Sequence, residues 1–191
     1  RNDIKESKNL YAQYSEIGNW STVGSFENVS GSGFNKDYGV LAHPEKTYVF
    51  KNNKGADIKW FPMGHNLGHW WDFEYHHDIN NAVIYAQSFV NSPSAQDVIL
   101  RLGVSGSYKI WINDFLVSAE PEERNTNFDV YSFIAKLKAG YNRILVQLGS
   151  AEIDNSNFMV RFTDMNDKLI TNLTSQADYV AYEKESGYEV K

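Results

Sequence analysis

The sequence predicts an all-β domain, a sandwich or barrel, with a polar arm at each end. Three observations predict it. Apolar and polar residues alternate in short runs, the period-two spacing of strands half-buried on one face. The runs recur every ~8 to 12 residues, separated by Gly, Asn, Asp and Ser. No segment carries a sustained helical stripe, only 4 Pro interrupt the chain, and no longer repeat is visible.

The elements follow in order. Residues 1–19 are polar with a few apolar side chains (Leu10, Tyr11, Tyr14) and read as an entry arm. From Trp20 the alternating texture begins. Residues 47–51 form one short run, and 56–61 another with Ile58 and Trp60 on one face. Residues 81–90 (NAVIYAQSFV) set Val83, Tyr85, Gln87 and Phe89 against Ile84, Ala86 and Ser88. Residues 96–103 put Val98, Leu100 and Leu102 on one face; 108–112 form a further strand. Asn113-Asp114 tolerates positive φ, so Phe115 to Val117 returns as a hairpin. Runs at 128–137, 141–148 and 158–162 follow, with Ala139-Gly140 turning between the first two. Residues 174–191 turn polar again and read as a C-terminal arm or linker.

Composition narrows the function. A chain of 191 residues fits one large domain. At that size roughly 70% of the unfolded chain's surface is buried, so a core forms without metal or disulfide. With no Cys, zinc fingers and thiol enzymes are excluded. A formal charge of −6 argues against nucleic acid as a partner. No run approaches the ~20 apolar residues of a membrane span. The 12 Tyr, 11 Phe and 5 Trp exclude disorder for most of the chain. The first residue is Arg1, which suggests a processed product or a piece of something longer.

Several motifs carry a resemblance in the right order. WSTVGSFENVSGSGF (20–34) reads as an opening strand, and NAVIYAQSFVNSPSAQDVILRLG (81–103) as a pair of strands. LRLGVSGSYKIWINDFLV (100–117) matches a strand, a loop and a strand ending in a "kvWlNg" pattern. KLKAGYNRILVQLG (136–149) matches a "LkaGwNrlLvkv" pair, and FMVRFTDMNDKLI (158–170) a closing strand. Together they resemble the galactose-binding-like β-jelly-roll domains that accompany glycoside hydrolases and occur in large exported proteins of Bacteroidetes-type bacteria. The resemblance covers 20–173 and implies a β-sandwich jelly roll there, with arms at 1–19 and 174–191. It also implies a secreted, periplasmic or cell-surface location. Many relatives carry acidic residues in the loop after the "LrLG" strand. Here that loop is Val104-Ser105-Gly106-Ser107, without the carboxylates of a calcium site. No cofactor is implied, although calcium held by backbone carbonyls would leave no residue signature.

Single residues in these motifs have readings of their own. Trp111 shares a strand face with Lys109 and Asn113, as core or as a sheet-surface anchor. Asn142 can bond the backbone of the preceding turn through its amide. Arg101 and Arg161, each among apolar neighbours, are solvent-face residues or buried ion-pair partners.

The stretch FPMGHNLGHWWDFEYHHD (61–78) is unusual, with four of the five His and two adjacent Trp. His65 and His69 have the spacing of two ligands on one helix face, and His76 and Asp78 could join them at zinc or nickel. Gly64 and Gly68 weaken that helix, so a polar surface loop is the competing reading. The aromatics suit a sugar better, because a flat indole or phenol meets the apolar C–H face of a pyranose. Positions 71, 73 and 75 form a period-two stripe, which predicts one strand face with Trp70 and Asp72 on the other. Trp70, Trp71, Tyr75, His76, Asp78 and, from a loop expected at 118–129, Arg124 are the candidate carbohydrate-binding residues. Glu120, Glu122 and Glu123 on that loop do not read as the facing carboxyls of a glycosidase.

Three functions follow from these residues. The first is a noncatalytic carbohydrate-binding module of a larger exported protein. The second is an architectural domain that orients its neighbours in the same chain. The third is a metal-dependent enzyme using the His-rich stretch.

Overall fold

A computed structural model describes residues 16–64 and 69–185. Residues 1–15 of the expected N-terminal arm, His65 among 65–68, and 186–191 of the C-terminal arm lie outside the described residues. The described chain is all β, with single 3-10 turns at Val29–Gly31 and Phe73–Tyr75. Its strands are β1 (Ser21–Glu27), β2 (Phe50–Lys51), β3 (Asp57–Ile58), β4 (Phe61–Pro62), β5 (Trp71–Asp72) and β6 (Ala82–Ser92). They continue with β7 (Gln96–Ile112), β8 (Phe115–Asn125), β9 (Tyr131–Leu137), β10 (Gly140–Ser150), β11 (Asn157–Thr163) and β12 (Thr174–Gln176).

Strand β7 organises the sandwich. It is 17 residues long and takes part in both layers. Its first half pairs with β9 and β11, and β11 pairs with β5. Its second half pairs with β8 and β10, and that layer continues through β6 to β1 and β4, with β12 beside the end of β6. The expected strands at 96–103 and 108–112 are therefore one, and Val104–Ser107 is strand rather than loop. The reason is parity. Val98, Leu100, Leu102, Val104, Tyr108, Ile110 and Ile112 all enter one core, so the alternation never breaks. Gly106 makes the bend sterically feasible. Its φ is +122°, and a Cβ there would lie 2.6 Å from the Gly149 carbonyl oxygen.

The hairpin at Asn113-Asp114 forms as its chemistry requires. Their φ values are 51° and 69°, and Ile112 pairs with Phe115 across a two-residue turn. Asn142 braces two turns at once. Its Oδ1 accepts from the Lys138 backbone N–H (2.8 Å) and from Asn113 Nδ2 (2.8 Å), while its Nδ2 donates to the Lys138 carbonyl (2.9 Å).

The core between the layers takes Ile84, Ala86, Ile144, Val146, Leu148, Phe158, Val160 and Phe162. Trp20 packs edge-on to Phe158, with centroids 4.8 Å apart. A second cluster lies on the outer face of β6 and β10. Val83, Tyr85 and Leu145 there meet Val40, Phe50 and Trp60 from the crossover between β1 and β4. The segment after β12 covers the rest of that face, setting Tyr179 and Tyr182 against Phe89. Strands β6 and β10 are thus buried on both faces.

Candidate ligand-binding cleft

The six candidate residues from the sequence are dispersed. Trp71 is 2% exposed and packed in the inner core, so its ring has no face for a ligand. This corrects its assignment to a sugar platform. The expected stripe at 71, 73 and 75 is also absent. Strand β5 ends at Asp72, whose Oδ1 accepts the Glu74 N–H (3.0 Å) and starts a 3-10 turn. Trp71 and Phe73 go inward, and Tyr75 is left 78% exposed. Trp70 is half-buried over the bend of β7, where Gly103 leaves space for its ring. It stacks on Phe128 at 4.8 Å and 22°.

His76 lies beside Phe61 (6.0 Å), while Asp78 holds Asn80 and Lys54. His77, between these two, is the more buried imidazole. It meets the Thr22 hydroxyl at 2.8 Å, and burial pulls its pKa down to about 4. Among the described residues no three His, Asp or Glu side chains converge as a metal set. His69 instead meets Glu16, with 2.5 Å between Nδ1 and Oε1. Burial pushes the Glu16 carboxyl up to about 8, against the pull of Arg161.

Residues 120–124 belong to β8 rather than to a loop, because Glu120 and Arg124 register with Tyr108 and Gly106 of β7. Their charges are occupied locally. Arg124 bonds Glu122 (2.5 Å), and Glu123 accepts the backbone N–H groups of Ala151, Glu152 and Ile153. Arg161 forks onto Asp129, and Arg101 pairs with Asp167, so both are ion-pair partners.

The outer face of the larger layer carries a cleft of about 150 Å³. Two registered rows of side chains build its floor. Tyr85, Gln147 and Lys109 stand side by side on β6, β10 and β7, and Leu145 beside Trp111 forms the next row. Residues 35–41 of the crossover form the wall, with Lys36 and Asp37 at the rim and Val40 and Leu41 below. Polar contacts hold the shape. Tyr85 donates to Gln147 Oε1 (3.0 Å), and Gln147 Nε2 donates to the Phe34 carbonyl (3.0 Å). Lys109 Nζ donates to Asn35 Oδ1 (2.9 Å) and sits 4.5 Å over the Phe34 ring. Burial lowers the Lys109 pKa and raises that of Tyr85, the latter helped by Tyr38 and Asp37. A half-buried indole beside polar side chains offers a small ligand an apolar face and hydrogen-bonding groups together.

A larger pocket of about 240 Å³ lies between Phe61 and Tyr179. Its two charges, Lys46 and Asp178, neutralise each other across 3.3 Å. Its indole, Trp60, is buried and donates its N–H to the His43 carbonyl. The Trp111 cleft is the stronger candidate. Sequence alternation shows Lys109 with Trp111, and Tyr85 with Gln87, on common faces. Joining those faces takes a register between strands about 25 to 60 residues apart, which no local signal carries.

No family model and no curated protein matches the chain. Solved structures give likenesses at low identity. A β-glucosidase from Kluyveromyces marxianus, in complex with glucose, overlays with a TM-score of 0.43 at 14% identity, covering 80% of this chain and 18% of its own. The epithelial adhesin 9 A domain from Candida glabrata, in complex with Galb1-4GlcNAc, overlays at 0.44 and 12% identity, covering 85% of this chain and 90% of its own. The PA14 domain of an antifreeze protein, MpAFP, overlays at 0.37 and 15% identity, covering 87% and 93%. The chain thus spans under a fifth of the glucosidase and nearly all of the other two.

Proposed function

We propose that the chain is a noncatalytic carbohydrate-binding module of a larger exported protein, and that the Trp111 cleft holds the sugar. The observation that carries this reading is the half-buried indole on the floor of a cleft edged by Lys36, Asp37 and Lys109. A ring stacked on Trp111 gains dispersion and area burial, and the edge groups orient its hydroxyls. Asp37 is the one carboxylate lining the cleft, where a glycosidase uses a pair. In this reading the parent protein is secreted, periplasmic or at the cell surface.

Calorimetric titration with a panel of neutral and acidic oligosaccharides tests it. Binding in the micromolar to millimolar range is expected, and Trp111→Ala weakens it at least tenfold. Failure of every sugar to bind at millimolar concentration overturns the reading.

One observation favours the architectural role instead. Phe128, Val130 and Ile134, at and just before β9, are 42%, 52% and 68% exposed. An apolar edge of this kind suits a neighbouring domain. Loss of hydrogen exchange at 128–134 in the parent protein, with no sugar binding, would favour this alternative.

A further inference from the structure

Resting on the proposed sugar-binding role, we propose that the Trp111 cleft selects an acidic sugar, a hexuronate whose carboxylate meets Lys109 and Lys36. The chain is acidic, at −6, yet two lysines and one aspartate line this cleft, with the Lys36 ammonium 5.2 Å over the Tyr38 ring. Most described lysines have an acidic partner. Lys46, Lys51, Lys54, Lys136, Lys138 and Lys184 each lie within 4 Å of a carboxylate. Lys36 and Lys109 are not among these pairs, nor are Lys59 and Lys168. Of the four, Lys109 alone is half-buried. A partly desolvated ammonium without a countercharge is costly, and its lowered pKa reflects that cost. Its contact with Asn35 uses one N–H, leaving two for a ligand.

The register places these groups together. Trp111 lies two residues beyond Lys109 on the same face of β7, so both side chains line one cleft. Gln147, fixed at both ends of its amide, keeps the Lys109 row from collapsing onto the ring. Asp37 accepts the Gly39 N–H through Oδ1 (2.7 Å), which leaves its other oxygen for a sugar hydroxyl. It also repels a second anion, so one carboxylate per ring suits the cleft better than several sulfates.

Titration at low and at physiological ionic strength separates the outcomes. The probes are hexuronate trimers (galacturonate, glucuronate and mannuronate), their carboxyl-reduced counterparts, and a sulfated trimer of equal length. At least one hexuronate is expected to bind tenfold tighter than its reduced form, with the advantage shrinking as salt rises. Lys109→Gln and, independently, Lys36→Gln on the exposed wall should bring that ratio toward one, with the fold checked by circular dichroism. Equal binding of the reduced trimers would overturn this inference and leave the sugar-binding role standing. Tighter binding of the sulfated trimer would overturn it too, as undirected charge attraction. Binding by none of the probes would remove the sugar-binding role itself.

Discussion

Arg143 and Lys109 are both cations on the outer face of the same layer, and they meet opposite fates. Arg143 is fully buried and bonded through all three guanidinium nitrogens. Its Nε bonds Gln87 (3.0 Å), its Nη1 bonds the Leu41 carbonyl (2.7 Å) and Asp114 (3.1 Å), and its Nη2 bonds the Val40 carbonyl (3.0 Å). Asp114 in turn receives the Tyr182 hydroxyl at 2.9 Å. Lys109 has one side-chain acceptor, an aromatic face beneath it, and open space beyond. A cation bonded through every nitrogen to buried acceptors holds a fold together, whereas one with donors facing a cleft is placed for a partner. The two ends also share a wall. The carbonyls of Val40 and Leu41 bind Arg143, while both residues line the cleft.

The largest effect is expected at the closed end. Arg143→Met removes one member of a buried ion pair, takes their donor from Gln87 Oε1 and the Leu41 carbonyl, and leaves Asp114 with Tyr182 and Lys184 alone. Stability should fall by about 3–5 kcal/mol in chemical denaturation. Sugar affinity should fall with it, because the 40–41 wall loses its anchor. A variant with wild-type stability would break the contrast between the two cations.

Glu16 supplies a buried carboxyl that burial keeps protonated at neutral pH. The folded chain holds this proton up to about pH 8, while an unfolded chain releases it near 4.5. The folded state is therefore the greater proton binder across that window, and stability falls as pH rises through it. The effect is roughly 2 kcal/mol after allowing for solvent screening. His77 works in the other direction. Its folded pKa of about 4 lies below the ordinary 6.5, so its contribution is lost as pH falls between them. Glu16→Gln should flatten the decline toward pH 8 and leave the acid limb in place. Urea denaturation at pH 5, 6.5 and 8 reads both limbs.

Trp111→Ala comes next, at the open end. Sugar affinity should drop at least tenfold, about 1.4 kcal/mol. The melting temperature should move less than for Arg143→Met, because the indole is only half-buried. Trp71→Ala inverts the pattern, with a stability loss of about 3–5 kcal/mol from an emptied core site. The two tryptophans separate packing from recognition.

The difference between Trp71 and Trp111 marks how far the sequence could be read. Local chemistry was legible. Alternation located β6, β10 and β11, positive-φ tolerance located the Asn113-Asp114 turn, and the Asn142 amide found its carbonyls. The sandwich follows from those elements. What lay beyond reach depends on contacts distant in sequence. The pairing of Val104–Ser107 with β8, β10 and β11 rests on register, not on composition. The burial of Trp71 is set by β11, more than 80 residues away, where Phe158 pairs with it. The cleft needs residues 35–41 laid over three strands that are themselves far apart in sequence. Adjacent aromatics at 70 and 71 look alike in a sequence because nothing local says which layer each will face.

Tyr182→Phe is the mildest change and tests whether the two ends are coupled. The lost hydroxyl leaves Asp114 with Arg143 at 3.1 Å and Lys184 at 3.6 Å, so the carboxylate stays compensated. Losing the donation to Asp114 and the longer contact from Arg143 Nη1 (3.4 Å) should cost about 1–2 kcal/mol. Faster hydrogen exchange is expected at 177–185, where the Glu185 N–H bonds the Asn113 carbonyl at 2.8 Å. Arg143 keeps Val40 and Leu41 in this variant, so the cleft wall stays put and sugar affinity should hold within twofold. A larger drop would mean that the C-terminal segment itself props the wall. The closed end would then act as a clamp on the site rather than as a separate structural device.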